Sequence, residues 1–226
     1  MQSYVIIVAG GQGLRMGSTI PKQFLLLKDR PIIFHTIDRF LEAIPDIKVI
    51  VVLHPDYVLE WEKLVAKYSL DCDYKVCTGG KERFFSVKNG LDIINEDNPD
   101  AIVGIHDAVR PFVSKDVITT LYSEASKYEA VIPTLSSTET VRFVDSEGKS
   151  HTVDRDKVQL VQTPQVFNIS LLREAYRQPY SRGFTDDASV VEAYGHDVKL
   201  TKGNKENIKI TSPIDMKFAT IMLEDH

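Results

Sequence analysis

The residues best suited to chemistry lie in a glycine-rich segment near the amino terminus. Four β-branched residues at 5–8, typical of a strand buried on both faces, precede Ala9-Gly10-Gly11-Gln12-Gly13-Leu14-Arg15-Met16-Gly17. Glycine lets a ligand approach the backbone closely, so the amide N–H groups of such a loop can point at an anion. Arg15 adds a forked donor and Lys22 a compact positive charge. The segment therefore predicts a nucleotide or sugar-phosphate site.

The two most familiar phosphate-binding motifs do not fit this segment. A Walker A loop ends in Gly-Lys-Ser/Thr, but Gly17 is followed directly by Ser18. The dinucleotide fingerprint needs Gly-x-Gly-x-x-Gly, and Gly11, Gly13 and Gly17 are spaced one residue too far apart. For the loop alone, a plain glycine-rich turn is an equally good interpretation. The nearby cations favour the phosphate site.

Composition limits the classes of function. The chain has 226 residues, which suits one domain spanning 1–226. Its net charge of −5 argues against general binding to nucleic acid or to a membrane surface, and no apolar run is long enough to span a membrane. Cys72 and Cys77 fit neither a disulfide framework nor a zinc site, so we expect reduced thiols in a cytoplasmic protein.

The order of predicted elements indicates how these residues are positioned. Strands are predicted at 5–8, 47–53, 74–77, 101–105 and 130–133, and helices at 31–44, 57–68, 81–95 and 114–127. Their alternation predicts an α/β fold in which a mostly parallel, twisted sheet carries helices on both faces, as in Rossmann-like proteins. Ligands bind such sheets beyond the carboxyl ends of the strands. The glycine loop, Gly79-Gly80 and Asp107 all follow predicted strands.

The pattern changes after residue 133. Segments 140–144 and 151–153 read as a β-hairpin with few large apolar residues, which is marginal alone and should pack on another surface, such as a second subunit. A strand at 158–162, a helix from about 170, strands at 198–200 and 208–210, and a last helix from Ser212-Pro213 follow. Thr185-Asp186-Asp187 should open a further helix that ends at Gly195.

Several ordered motifs identify a family resemblance over nearly the whole chain. They are Ala9-Gly10-Gly11-x-Gly13-x-Arg15-Met16, Pro21-Lys22-Gln23, Gly79-Gly80-x-x-Arg83-x-x-Ser86-Val87, His106-Asp107-Ala108-x-Arg110-Pro111, Thr152-Val153-Asp154-Arg155, Thr163-Pro164-Gln165, Thr185-Asp186-x-Ala188-Ser189 and Asn207-Ile208-Lys209. Together they resemble the sugar-phosphate cytidylyltransferases. The resemblance implies a Rossmann-like nucleotidyltransferase with a protruding β-hairpin arm at 139–156.

The resemblance implies a reaction in which CTP and a polyol phosphate give a CDP-alcohol and pyrophosphate. His151-Thr152-Val153-Asp154-Arg155 and the acid at Glu206 are more similar to the branch that acts on 2-C-methyl-D-erythritol 4-phosphate, in the non-mevalonate isoprenoid pathway, than to the ribitol 5-phosphate branch. Ribitol 5-phosphate is the alternative substrate, and a nucleotide-binding module without catalysis is the alternative class. A phosphate monoester is largely dianionic at neutral pH, so its attack on the α-phosphorus needs no general base.

The resemblance also assigns expected roles. The catalytic cations are Arg15, Lys22 and Lys209. The nucleotide-binding residues are Ala9, Gly10, Gly11, Gly13, Gly80, Ser86, Asp107 and Ala108. The polyol-phosphate pocket corresponds to Arg110, Thr140, Arg155, Thr163, Thr185 and Asp186. Asp107 matches a Mg²⁺ ligand, with Glu206 as a second acidic contact, and Lys81 stands where an acidic residue is usual. A homodimer is implied, in which the arm completes the partner's site.

Plain structural interpretations stand beside these roles. Asp107 could simply cap a turn, although its place after a buried strand favours a ligand role. Lys209 could be a solvated strand residue. Thr185-Asp186 could form only a helix cap, but we expect the pair to have both the cap role and the substrate role. Arg155 could be an ordinary surface residue if the protein is monomeric. We expect Phe84-Phe85 to belong to the core and the histidines to be structural.

Overall fold

A central mixed sheet organises the protein, for which the computed structural model describes residues 2–11, 20–94 and 98–224. Its strands are β1 (Ser3–Ala9), β4 (Lys48–Leu53), β5 (Tyr74–Thr78), β6 (Ile102–Asp107), β7 (Ala130–Ser136), β10 (Gln159–Val161), β11 (Gln165–Asn168) and β12 (Lys199–Lys202). Two small ribbons lie outside it, formed by β2 (Leu26–Leu27) with β3 (Arg30–Pro31) and by β8 (Val141–Val144) with β9 (Ser150–Val153).

Parallel pairing dominates the half of the sheet that carries the glycine segment. Strand β1 lies between β4 and β6, with Val8 opposite both Val52 and Asp107, and β5 continues the sheet beyond β4. On the other side of β6, strand β11 runs antiparallel to both β6 and β7, while β12 pairs in parallel with the far edge of β7. The predicted mostly parallel α/β sheet is therefore confirmed, with antiparallel pairing where β10 and β11 enter it.

Helices cover both faces of the sheet. They are α1 (Ile32–Ala43), α2 (Val58–Tyr68), α3 (Arg83–Asp92), α4 (Lys115–Tyr128), α5 (Ile169–Ala175), α6 (Asp187–Tyr194) and α7 (Pro213–Glu224). Successive side chains of a strand point to opposite faces, and β1 shows the result. Val5 and Ile7 belong to the core beneath α1, α2 and α4, whereas Tyr4 and Ile6 belong to the core beneath α3, α5 and α6.

Helix ends agree with the local signals in the sequence. Ser114 caps α4 by accepting a hydrogen bond from the Val117 N–H at 3.2 Å. Asp186 caps α6 in a reciprocal capping box with Ser189, and Gly195 ends that helix in the left-handed conformation at φ +98°. Both predicted caps are confirmed. They could be predicted because a cap depends on residues close to it in the sequence.

Two predicted segments differ from the structure, and one strand of the central sheet was not predicted. Residues 208–210 form no strand. Their backbone contact with the residues that follow β6 is one hydrogen bond in the described structure, from the Ile210 N–H to the Val109 carbonyl at 3.0 Å. The helix predicted at 81–95 begins at Arg83, since Gly79 to Glu82 form a loop. Strand β11 at Gln165–Asn168 was not predicted, because so short a segment beside a proline carries little periodicity.

The hairpin of β8 and β9 is present as predicted and projects from the sheet. All residues from Thr138 to Lys157 lie in the described part of the chain, and all of them are exposed or half-buried. Phe143 and Val144 are 56% and 60% exposed. Elsewhere, Cys72 and Cys77 are unpaired as expected. Among the described residues, none of the helices is both long and apolar enough to cross a membrane.

Candidate functional site

A cavity of about 300 Å³ lies beyond the carboxyl ends of β1 and β6, in front of the first turn of α3. This is the position that the sheet topology predicts for a ligand. The cavity is lined by Val8, Ala9, Gly10, Gly11, Lys22, Gln23, Gly80, Lys81, Glu82, Arg83, Ser86, Asp107, Ala108, Val109 and Lys209. Residues distant in the sequence thus meet at one edge of the sheet.

The start of the glycine segment is held by a buried amide side chain. Gln23 is 2% exposed, and its Nε2 donates to the carbonyl oxygens of Ala9 at 2.7 Å and Gly11 at 3.4 Å. These bonds occupy the carbonyl groups, whereas Gly10 and Gly11 present backbone to the cavity. A cluster of amide N–H groups suits an anion. Lys22, the neighbour of Gln23 in a 3₁₀ helix (Lys22–Phe24), lines the same cavity.

The second glycine loop is built around Ser86. The Ser86 hydroxyl accepts a hydrogen bond from the Gly80 N–H at 3.1 Å and donates to the Glu82 carbonyl at 3.2 Å. A Cβ at Gly79 would lie 2.8 Å from Ser86 Oγ, and one at Gly80 would lie 2.3 Å from Phe85 Cβ. Neither position accepts a larger residue without a shift, so the loop needs glycine at both.

Asp107 is the main charged group at the floor of the cavity. Its Oδ2 lies 3.1 Å from Lys209 Nζ and 3.1 Å from Arg110 Nε, and its side chain is 12% exposed. Burial disfavours the charged carboxylate, but the positive charges of Lys209, Arg83 and Arg110 outweigh burial and hold the pKa of Asp107 well below its usual range. Asp107 is therefore an ionised oxygen donor at neutral pH.

A buried network fixes the backbone behind Asp107. The Asp107 N–H donates to Thr163 Oγ1 at 3.2 Å, and Thr163 Oγ1 lies 3.0 Å from His106 Nδ1. His106 Nε2 lies 3.1 Å from the Arg110 carbonyl. Burial lowers the pKa of His106 to about 4, so the ring is neutral near pH 7. A proton on Nε2 then satisfies all of these groups, with the Thr163 hydroxyl donating to Nδ1.

The segment that carries Lys209 is held next to Asp107 mainly by hydrogen bonds of side chains and not by pairing as a β-strand. Arg110 Nη1 donates to the Asn207 carbonyl at 2.8 Å, and the fully buried Asn207 donates through Nδ2 to the Thr163 carbonyl at 2.8 Å. Gln162 Nε2 adds a bond to the Asn207 carbonyl at 3.3 Å. These contacts place Lys209 against Asp107.

Thr185 and Asp186 lie at the amino terminus of α6, outside the cavity lining. Gln165, fully buried, accepts from the N–H groups of Asp187 and Ala188, both at 2.9 Å, and donates to Asp186 Oδ2 at 2.7 Å. Asp186 is therefore engaged as a cap, and Thr185 is exposed beside it. The helix-cap role of Asp186 is confirmed, and the substrate role expected for this pair stays a prediction.

The structure brings only part of the predicted site together. The cavity lining includes Ala9, Gly10, Gly11, Lys22, Gly80, Ser86, Asp107, Ala108 and Lys209, and Arg110 and Thr163 support it from behind. Thr140 and Arg155 are exposed on the arm, and Glu206 is exposed with Asn204 Nδ2 donating to it at 3.2 Å. Gly13 and Arg15 lie outside the described residues.

Five residues on the cavity lining were given no role by sequence reasoning, namely Val8, Gln23, Glu82, Arg83 and Val109, and two of them make contacts that organise the site. Gln23 and Arg83 stand inside the quoted motifs, but neither was given a role. The signal for Arg83 was its spacing of three from Ser86, which puts both on one face of a helix. Gln23 has no comparable signal, because its two bonds join it to a segment at least twelve residues away.

A larger groove of about 860 Å³ lies where β7, β10 and β12 meet, at the base of the arm. It is lined by Thr134, Leu135, Ser136, Thr138, Gln159, Leu160, Leu200, Thr201, Lys202 and Lys205. Leu160 and Leu200 are about half exposed. Its lining contains none of the predicted site residues, so size alone does not identify the reactive cavity.

Comparison with known proteins gives a consistent result. The family profile described as IspD, 2-C-methyl-D-erythritol 4-phosphate cytidylyltransferase, matches residues 3–225. A protein of that name from Phocaeicola vulgatus is 47% identical over 223 residues, covering 99% of this chain and 100% of its own. The one from Clostridium botulinum is 36% identical, covering 97% and 96%.

Solved structures agree with the sequence relatives. The 2-C-methyl-D-erythritol 4-phosphate cytidylyltransferase of Francisella tularensis superposes with a TM-score of 0.81 at 34% identity, covering 98% of this chain and 99% of its own. The 4-diphosphocytidyl-2C-methyl-D-erythritol synthase of Anaerococcus prevotii gives 0.84 at 28% identity, covering 99% and 96%. The chain therefore belongs to the 2-C-methyl-D-erythritol 4-phosphate cytidylyltransferase family, the nucleotidyltransferases that join CTP to this polyol phosphate in isoprenoid biosynthesis.

Proposed function

We propose that the cavity between β1, β6 and α3 binds CTP and is where this chain converts CTP and 2-C-methyl-D-erythritol 4-phosphate to CDP-methylerythritol and pyrophosphate. The observation that carries this proposal is the ionised, largely buried Asp107, flanked by Lys209 and Arg110 and lining the same cavity as the glycine segment and Lys22. A glycine backbone suited to an anion, the lysines Lys22, Lys81 and Lys209, and the carboxylate of Asp107 in a single cavity suit a nucleoside triphosphate with its cation.

Different lining residues are proposed to contact different parts of the nucleotide. Gly10 and Gly11 offer backbone N–H groups to the phosphates, and Ala9 and Ala108 line the walls beside them. Gly80 and Ser86 form the loop where the cytosine edge would be read through backbone and hydroxyl groups. Lys81 lines this end of the cavity, so its side chain is close enough to alter the contacts made with the base.

Catalysis in this arrangement is positioning and charge stabilisation. The phosphate of the polyol substrate is already a dianion, so it attacks the α-phosphorus directly as pyrophosphate leaves from the opposite side. Lys22 and Lys209 supply positive charge on the cavity wall for the negative charge that builds up on the transferring group. We assign the same role to Arg15 and a phosphate-loop role to Gly13.

Asp107 fits a site for Mg²⁺ that is shared with the nucleotide. Among the described residues, no cluster of three or more His, Cys, Asp or Glu side chains could enclose a metal. Mg²⁺ commonly takes one or two carboxylates and completes its shell with substrate phosphates and water, so a single ionised aspartate suffices. When bound, the ion would neutralise charge on the phosphate oxygens. Glu206 is proposed as a second ligand of the ion, and its exposed side chain must turn toward the cavity to reach it.

The polyol phosphate is proposed to bind beside Arg110 and Thr163, with Thr185 and Asp186 at the α6 terminus. Arg110 is held by Asp107 and the Asn207 carbonyl, so its guanidinium is already oriented. Thr140 and Arg155 are exposed on the arm and do not line the cavity of their own chain. We propose that they complete the site of a second copy, which makes the protein a homodimer.

The arm supports the dimer proposal through its composition. Phe143 and Val144 expose more than half of their surface, which an isolated hairpin leaves in contact with water. The groove at the base of the arm, with Leu160 and Leu200, offers an apolar surface that a second copy could cover. A cytoplasmic location remains a prediction that follows from the reduced cysteines.

Pyrophosphate release tests the assignment directly. The assay contains CTP and Mg²⁺, with 2-C-methyl-D-erythritol 4-phosphate and ribitol 5-phosphate in parallel. We expect strong preference for the first substrate. Preference for ribitol 5-phosphate would move the activity to the other branch with the same chemistry. CTP binding without turnover on either substrate would indicate a nucleotide-binding module, and absence of CTP binding would refute the site itself.

A further inference from the structure

Arg83 is the one arginine on the described lining of the cavity, and a buried carboxylate holds it in place. Its Nη1 and Nη2 donate to Asp187 Oδ1 and Oδ2 at 2.9 Å and 2.6 Å, a bidentate pair. Asp187 is fully buried, whereas the Arg83 side chain is 30% exposed. The pair therefore points from the core toward the cavity, with the arginine at the accessible end.

Tyr176 holds the carboxylate from the other side. Its hydroxyl donates to Asp187 Oδ1 at 2.6 Å. Burial and the neighbouring charge of Asp187 raise the pKa of Tyr176 well above its ordinary value, so the phenol stays protonated and donates. Asp187 accepts bonds from Arg83 and from Tyr176, and its orientation is fixed by both.

Aromatic packing makes this connection rigid. The Phe84 ring stacks on Tyr176 at 4.7 Å between centroids and on Phe184 at 5.6 Å. The first turn of α3 is thus clamped to α5 and to the loop that leads into α6. Arg83 stands at the start of that turn, beside Gly80 and one helical turn from Ser86.

Arg83 also has donors to spare. A guanidinium carries five N–H groups, and Asp187 accepts two of them. Because Asp187 largely balances its charge, Arg83 is suited to directed hydrogen bonding more than to general attraction. It lines the cavity together with Asp107 and Lys209, so the guanidinium lies inside the proposed nucleotide site.

We propose that Arg83 contacts the bound nucleotide through acceptor atoms of its phosphates or of its base, and that Asp187 is the positioning residue that aims the guanidinium. Tyr176 fixes Asp187 in turn. This inference rests on the proposed function, because it assumes that the cavity holds CTP. It adds a buried support, reached through α5 and α6, to the roles derived above.

Calorimetric titration of CTP and of cytidine, without the polyol substrate, tests the proposal. Arg83→Lys keeps the charge but loses the fork, and we expect the Kd of CTP to rise about tenfold. Asp187→Asn lies outside the cavity lining yet should raise that Kd by a similar factor. The double variant Arg83→Gln with Asp187→Asn leaves no unpaired buried charge and should be no weaker than the single variants, because the two residues act as one unit.

Tyr176→Phe leaves the ion pair in place and should raise the Kd of CTP only two- to threefold, roughly the loss of one hydrogen bond. In Arg83→Lys and Tyr176→Phe, the Kd of CTP should rise without a comparable fall in the melting temperature. A purely structural role would instead lower the melting temperature and turnover together. Arg83→Lys and Tyr176→Phe retain the buried charges, so they decide the question even if Asp187→Asn does not fold.

The outcomes separate this inference from the assignment of the site. Weaker binding of CTP alone places the contact at the phosphates, and weaker binding of cytidine as well places it at the base; both support the proposal. Unchanged CTP affinity in folded Arg83→Lys overturns it while leaving the site intact. A wild-type protein that fails to bind CTP overturns both.

Discussion

The nucleotide cavity and the hairpin arm are built on opposite physical principles. The cavity is enclosed by buried strands and by side chains such as Gln23 and Ser86, whose hydrogen bonds fix the loops before any ligand arrives. The arm, residues 139–156, is described in full and contains no buried residue. One region is stabilised by its own chain, and the other presents apolar side chains to solvent.

The difference indicates how the two substrates are recognised. Within the described part of the chain, the residues predicted for CTP line one cavity, as expected where preorganised groups must be aimed at phosphates. Residues predicted for the polyol phosphate are divided between the core, the α6 terminus and the arm. We infer that the nucleotide half is preformed and that the polyol half is completed by assembly.

Lys22→Ala should give the largest effect and should act on the nucleotide half alone. Lys22 lines the cavity, where its charge would meet the phosphates, and loss of such a group commonly costs about 10²–10³-fold in turnover. The melting temperature should change little, because Lys22 is only half-buried. Pyrophosphate release and thermal unfolding measure the two quantities. Lys63→Ala on α2 is the matched control, and an equal loss of stability and activity in Lys22→Ala would contradict the assignment.

Asp107→Asn should lower turnover about a hundredfold and weaken the dependence on Mg²⁺, because it removes the proposed ligand charge. The variant also predicts a pH effect on stability. The pKa of Asp107 is held below its ordinary 3.8, so its ion pairs stabilise the fold above that pH and are lost as pH falls through the lower folded value.

The difference in unfolding free energy between wild type and Asp107→Asn should therefore be constant from roughly pH 5 to 8 and should shrink at more acidic pH. Chemical denaturation at several pH values measures it. A difference that changes steeply near neutral pH would show that Asp107 is not held ionised by Lys209 and Arg110.

Phe143→Asp should disrupt the contact that the arm is proposed to make with a second copy, and should leave the cavity unchanged. A charge in place of a 56%-exposed aromatic should disrupt the contact with a second copy, giving a monomer by light scattering. The KM for the polyol substrate should rise at least about tenfold, while CTP affinity stays unchanged. Lys149→Ala, near the tip of the arm, is the control. A wild-type monomer, or an unaltered KM in the variant, would contradict the composite site.

Gly80→Ala should give a smaller effect, confined to the nucleotide half. The added Cβ would lie 2.3 Å from Phe85 Cβ, so the loop must shift and the bond from the Gly80 N–H to Ser86 lengthens. We expect the KM for CTP to rise several-fold, up to about tenfold, with little change in melting temperature. Gly183→Ala is the control, since its nearest neighbour would lie at an ordinary 3.5 Å. An unchanged KM would show that the loop does not contact the nucleotide.

Local signals predicted most of the framework. The apolar strands, the caps at Ser114 and Asp186, the stop at Gly195 and the exposed arm depend on neighbouring residues, and each is found in the structure. Strand β11 was not predicted, because its conformation is set by pairing with β6 and β7. The strand prediction at 208–210 was wrong, because this segment is held by a bond to Val109 outside any strand. Short segments carry too little periodicity to report such contacts.

The sequence by itself determined the family, the order of the elements and the nine predicted residues that meet in the cavity, because motifs and periodicity are properties of the chain. Only the tertiary structure placed Lys209 on Asp107, gave Gln23 its support of the glycine segment and joined Arg83 to Asp187. These pairs are up to 104 residues apart, and burial together with folding distance decides which charges meet. No spacing rule along the chain contains that information.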